Sequence, residues 1–193
     1  MTNRLEQVIN ALDQLHSEDP QAVNVDGESV AAELLYAQRM SAWLTTLTQS
    51  PGECLQISVR AQHLQRWQVT REEYPEGRVG YLTWRRDQGI RAGETTALLM
   101  SEAGYSAEDA ARIATIINKK GLGRDPDVQA LEDCACLVFL ENYFADFSRK
   151  VEHDHMLRII QKTWRKMSPQ AHELALGLPM SASSAALVKE ALS

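Results

Sequence analysis

The segment from Asp125 to Phe147, DPDVQALEDCACLVFLENYFADF, restricts the fold more than any other stretch of the chain. Aspartate followed by proline is a strong helix start. The carboxylate caps free N–H groups, and proline fits the first helical position, where no N–H is needed. The section from Cys134 to Leu140 is then apolar on every side. A helix with no polar face cannot lie on a surface, so other elements must enclose it. The spacing predicts a central helix running to about Phe147, with the rest of the chain packed around it.

The rest of the chain supplies more helices. Leu5, Val8, Ile9, Leu12 and Leu15 follow the three-four spacing of a core-facing helix, which Ser17-Glu18-Asp19-Pro20 ends. The pattern predicts a second helix over Glu28 to Leu47 and a third from about Glu53 to Trp67. A longer one covers Tyr81 to Ala103 and stops at Gly104. Ser106 caps the next, which ends in Lys119-Lys120-Gly121. Further helices are expected from Met156 to Met167, after Ser168-Pro169, and from about Ser183. Strand signals are nearly absent, and no repeat or low-complexity spacer divides the 193 residues. The expected fold is therefore all-α: one helical domain over 1–193, a bundle of about eight or nine helices. Its core spans about 5–179, with a C-terminal helical tail at 180–193.

Composition narrows the class of partner. A formal net charge of −6 argues against general nucleic-acid coating, while leaving room for a local basic pocket. Cys54, Cys134 and Cys136 are odd in number and lack metal-site spacing, which suits free thiols in a reducing cytoplasm. The N-terminal segment carries charges where a signal peptide would be apolar, and the longest apolar run is too short for a membrane span. The expectation is a cytoplasmic protein with no membrane partner.

The candidate chemistry lies elsewhere. From Arg60 to Arg91 the chain holds seven arginines and no lysine, interleaved with His63, Trp67, Tyr74, Tyr81 and Trp84. Guanidinium groups bind phosphates bidentately and stack on rings, which points to an anion site. The expected anion contacts are Arg60, Arg66, Arg71, Arg78 and Arg85. Lys120 and Arg124 join them from a second cationic turn, just ahead of the central helix, whose positive end favours anions. Trp67, Tyr81 and Trp84 are the expected stacking surface. Solvated pairing of Arg85 and Arg86 with Asp87, or of Arg71 with Glu72 and Glu73, is the competing reading. On the central helix, Asp133 shares a face with Leu137, Leu140 and Phe144 and points inward. A buried carboxylate needs a partner, so Asp133 is either tied to a core arginine or serves as a ligand or base. His153-Asp154-His155 reads as a solvated junction, because adjacent helical residues diverge. No phosphate-binding glycine loop, dinucleotide fingerprint, nucleophile elbow or zinc spacing is present.

The ordered set LLYAQRMSAWL, RAQHLQRW, YPEGRVGYLTWR, KGLGRD, LEDCACLVFLENYF and KTWRKMS closely resembles the family catalogued as domain of unknown function 4202. That likeness runs from Leu5 to about Pro179 and brings no activity with it. A more distant likeness is to the HD-domain superfamily of metal-dependent phosphohydrolases. These use a His on an early helix, a His-Asp pair on the next and an Asp on a late central helix. Tyr36 stands where the first His would be, His63 matches the second, Leu64 replaces its Asp partner, and Asp133 matches the last Asp. The resemblance implies an HD-like fold with a central pocket at His63 and Asp133. These two would be an incomplete divalent-metal site or, without metal, a general acid/base pair. The expected function is binding of a phosphorylated small molecule or nucleotide; if the protein is an enzyme, the expected chemistry is phosphoester hydrolysis. The alternatives are a divergent metal-dependent phosphohydrolase and a non-enzymatic module whose arginines meet a protein or structured RNA.

Overall fold

In the computed structural model, which describes residues 3–193, the helix predicted to be central is α6 (Pro126–Asn142). Asp125 caps it, accepting from the N–H groups of Asp127 and Val128, and Arg112 grips both Asp125 and Asp127. Val128, Leu131, Cys134, Leu137 and Val138 are all fully buried, on more than one side of the helix. The expected run to Phe147 breaks at Tyr143, and a short α7 (Phe144–Ser148) turns Phe144 into the core.

Around α6 the chain is all-α, with ten helices among the described residues. They are α1 (Arg4–Ser17), α2 (Ala32–Leu47), α3 (Glu53–Arg60), α4 (Gly77–Glu102) and α5 (Ala107–Ile117), then α6, α7, α8 (His153–Trp164), α9 (Pro169–Leu176) and α10 (Ala182–Leu192). Helix α2 packs on α6 and α3, α4 runs along α5, α9 rests on α6, and α10 packs on α8. One hydrophobic cluster joins α1, α3, α4 and α5 through Leu12, Ile57, Met100 and Ile113. A second joins α2, α3, α5 and α6 through Met40, Val59, Ile116 and Leu131. The third runs from Leu137 and Phe144 to Ile160 and Val188. Helix α6 contributes to the last two, so it links the halves. Val188 and Ala191 are buried in the third cluster, so residues 180–193 belong to the packed core and are not an appended tail.

Three local expectations are corrected. Residues 22–31 form an antiparallel hairpin, β1 (Ala22–Val25) and β2 (Glu28–Ala31), and α2 starts only at Ala32. The turn is Asp26-Gly27, both at positive φ, which suits the twist of a two-residue hairpin loop. The third helix ends at Arg60 rather than at Trp67. Beyond it, tight turns and a 3-10 turn at Arg66–Gln68 carry His63 and Gln65 in the left-handed region. Helix α4 begins at Gly77, where Gly80 lies so close under Pro75 that a Cβ would collide with its carbonyl oxygen. No helix among the described residues is long and apolar enough to cross a membrane.

Candidate functional site

Ending α3 at Arg60 aims the next residues at α2. His63, with φ at +66°, lays its imidazole on the Tyr36 ring, with centroids 4.4 Å apart and planes 11° from parallel. Left-handed backbone costs a side-chain-bearing residue roughly 1–2 kcal/mol. Such strain persists where the surroundings hold it, and it clusters at functional sites. Lys119, just past α5, is left-handed as well, at φ +56°. His63 and Lys119 both line the same two cavities.

The larger cavity, about 550 Å³, opens among the first turn of α2, α4, the end of α5, α6, α7 and α8. Its aromatic side is formed by Tyr36, Tyr81, Phe139, Tyr143 and Phe147. Arg66, Arg85, Lys119 and Lys166 supply the positive charge. The Arg66 guanidinium sits 4.4 Å from the Trp84 ring centroid, and Arg85 lies 5.7 Å from that of Tyr81. Neither arginine is ion-paired to a carboxylate among the described residues. Gln88 Nε2 donates to the Arg66 and Val69 carbonyl oxygens, and Trp84 Nε1 also donates to Val69. These bonds fix the Arg66 turn against α4.

Two carboxyls line the cavity, in opposite states. Glu132, almost fully buried on α6, faces Lys119 Nζ at 2.5 Å and Lys166 Nζ at 3.3 Å. Burial pushes its pKa up, but the two ammonium groups outweigh burial and hold it below the ordinary value. Glu33 on α2 has no such partner. Its side chain is 19% exposed, with Oε2 3.8 Å from His63 Nδ1. Burial pushes its pKa up to about 7, against a smaller pull downwards from Arg66. His63 is moved the other way, well below its ordinary value, by burial first and then by Arg66, Lys119 and Arg85. The imidazole is therefore neutral at neutral pH, with one nitrogen free to accept. Arg66 Nη1 lies 2.9 Å from its Nε2 and 3.2 Å from its Nδ1. Cys136 also lines the cavity, but burial raises its thiol to about 12, which leaves it a poor nucleophile.

The sequence-predicted residues divide into two sets. His63, Arg66, Arg85 and Tyr81 meet at this cavity, and Lys120 lines its neighbour. Trp84 is buried as a shelf under Arg66. Arg60 is already occupied: it holds Asp13 bidentately at 2.6 and 2.7 Å and donates to Ser41 Oγ. Arg71 clasps the carbonyl oxygens of Tyr74, Pro75 and Gly77. Arg78, Arg124 and Trp67 line neither cavity. Asp133 is buried as expected, but its Oδ1 accepts from Gln129 Nε2 and from the Ser168 N–H, both at 2.9 Å, and it is not in the cavity wall. His63 and Asp133 therefore do not face one another, and they do not fit a divalent cation. Among the described residues no group of three or more His, Cys, Asp or Glu could hold a metal ion. Glu33 was not singled out from the sequence; a glutamate in the first turn of a helix reads simply as favourable to its dipole.

A second cavity, of about 500 Å³, adjoins the first and shares His63, Arg66, Arg85 and Lys119 with it. Comparison with known proteins adds one relationship. Residues 6–188 match the model of the family described as Domain of unknown function (DUF4202). No curated protein and no solved structure matches the chain.

Proposed function

We propose that this protein, which belongs to the DUF4202 family, binds a phosphorylated small molecule of the nucleotide type in the cavity between α2, α4, α6 and α8. The observation that carries this reading is the pair of guanidinium groups, Arg66 and Arg85. Each is shelved on an aromatic ring, faces the cavity and lacks a carboxylate partner among the described residues. An arginine in that state is presented to an anion from solution. Lys119 and Lys166 add charge, although Glu132 offsets much of it. Tyr36, Tyr81 and Tyr143 offer flat surfaces for a base. The cavity volume lies in the range that encloses ligands of this size, ~300–1,000 Å³.

Calorimetric titration with nucleotides and sugar phosphates tests it. Arg66→Ala and Arg85→Ala should each weaken binding at least about tenfold, the worth of one charge-assisted hydrogen bond. Absence of heat with every such ligand at millimolar concentration would refute the reading.

Glu33 favours a second reading, in which the bound ester is hydrolysed. Its carboxyl, half-ionised near neutral pH, takes a proton from a water attacking phosphorus. It then returns that proton to the departing ester oxygen as the P–O bond breaks. Glu33 is the catalytic residue here, and neutral His63 is a positioning residue 3.8 Å away. Release of inorganic phosphate should rise with pH through about 7, where Glu33 ionises, and Glu33→Gln should stop release while ligand still binds. A Glu33→Gln variant that turns over normally would eliminate this chemistry.

A further inference from the structure

The adjoining cavities carry different balances of charge. Two carboxyls, Glu33 and Glu132, line the first beside its cations. The second is lined by Arg66, Arg85, Arg86, Lys119 and Lys120 and by no carboxylate. The fold gathers these cations from two helices. Gly89 lets α4 approach the end of α5 so closely that a Cβ there would collide with Asn118 Oδ1. Arg85 and Arg86 lie one turn before Gly89. Lys119 and Lys120 follow α5 in a Schellman turn, their N–H groups donating to the carbonyl oxygens of Ile116 and Thr115. Glycine is the usual residue at the left-handed position of such a turn, yet here it is Lys119. Lys119 shares Glu132 and Arg86 shares Asp87. Arg66, Arg85 and Lys120 have no carboxylate partner among the described residues. Like charges gathered around one space repel, and an anion placed among them relieves the repulsion.

We infer that the second cavity receives the outer phosphates of a nucleoside polyphosphate. The base lies in the aromatic cavity, and the inner phosphate meets Arg66 and Arg85 on the wall that the two cavities share. The phosphate chain then ends between Arg86 and Lys120. This rests on the binding reading above and narrows it to nucleotides with more than one phosphate. A monophosphate held at the shared wall has no second group to offer Arg86 and Lys120. The amide donors of Gln88 and Asn118 are committed to backbone carbonyl oxygens, so the donors left in the lining are chiefly cationic. Phosphate oxygens only accept, and hydrogen bonds to them from guanidinium and ammonium groups are about twice as strong as neutral ones.

The test is calorimetry on the full chain with AMP, ADP and ATP in magnesium-free buffer, repeated with the uridine series to cover the choice of base. ATP should bind at least about tenfold tighter than AMP, the worth of one charge-assisted hydrogen bond, with ADP between them. Lys120→Ala, at an exposed position outside the first cavity, should reduce that gain several-fold while AMP changes little. Arg78→Ala is the control, because it removes an exposed charge of α4 that lines neither cavity; the gain should survive it. Three results would overturn the inference while the simpler binding reading stands: AMP binds and ATP binds no tighter, Lys120→Ala keeps the gain, or Arg78→Ala loses as much of it as Lys120→Ala. If no nucleotide of either series binds, both fall together.

Discussion

Glu33 occupies an unfavourable place for its charged form. It is mostly buried, the His63 imidazole 3.8 Å from its Oε2 is neutral, Asp19 adds a like charge, and the Arg66 charge does not compensate fully. Its folded pKa, about 7, lies above the ordinary carboxylate value, so between the two the native state binds more protons than the unfolded chain. Stability is unaffected by this group below the unfolded value, falls as pH rises through the interval, and carries the whole cost above about 7. Glu33→Gln removes the charge at nearly constant shape. The variant should therefore be more stable than the natural protein at pH ~8, by on the order of 2–3 kcal/mol, and no different at pH ~4. Urea melts at the two pH values measure this directly. A variant less stable at the higher pH would mean that the carboxylate is held by interactions other than those described. Gain of stability with loss of phosphate release would identify Glu33 as a residue retained for chemistry.

At the scale of the element, Glu132 and Asp133 are adjacent on α6, nearly equally buried, and employed in opposite ways. Asp133 ties Gln129 and the first N–H of the α9 cap, at Ser168, to α6. Asp133→Ala should cost about 1–3 kcal/mol in a denaturant melt through the donors it strands, with nucleotide affinity as in the natural protein. A normal melt combined with lost turnover would instead return Asp133 to the site. Glu132→Gln should destabilise too, roughly 3 kcal/mol, because Lys119 loses its counter-charge. It should also tighten anion binding several-fold in the same calorimetry, since Lys119 and Lys166 are then freed. The sequence could identify α6 but could not tell the roles of these two neighbours apart. A proline cap and an apolar surface on all sides announce a central helix, and on such a helix periodicity no longer separates one buried neighbour from the next. The same limit applied to the arginines. Their number between Arg60 and Arg91 predicts an anion site, yet Arg60 is consumed by Asp13 on a different helix and Arg71 by three carbonyl oxygens. His63 falls inside the helix expected from Glu53 to Trp67; in the structure its left-handed backbone goes with stacking on Tyr36 of another helix, a contact with no local sequence signal. The hairpin at 22–31 did have a local signal, Asp26-Gly27, but only four residues flank it on each side.

Across the whole molecule, an acidic chain carries a cationic cavity, and this combination favours small anions over polyanions. The net charge of −6 repels a long nucleic acid over most of the surface, while a single nucleotide meets mainly the local field of Arg66, Arg85 and Lys119. The walls of the two cavities come from elements in all three hydrophobic clusters: α4 and α5 from the first, α2 and α6 from the second, α8 from the third. A ligand held in the first cavity is bound only when those elements are docked together, so its binding free energy adds to the stability of the assembly. At a hundred times its dissociation constant, such a ligand contributes about 2.7 kcal/mol. For a chain of this length that corresponds to a rise in melting temperature of roughly 5–10 °C. A nucleotide that occupies the aromatic cavity should produce this shift in the natural protein, and the shift should fall to about half or less in Arg66→Ala and Arg85→Ala at the same ligand concentration. Hydrogen exchange on the same samples should slow together in α4, the end of α5 and α8. Slowing confined to a single helix would place the ligand on one element's surface and not in the cavity.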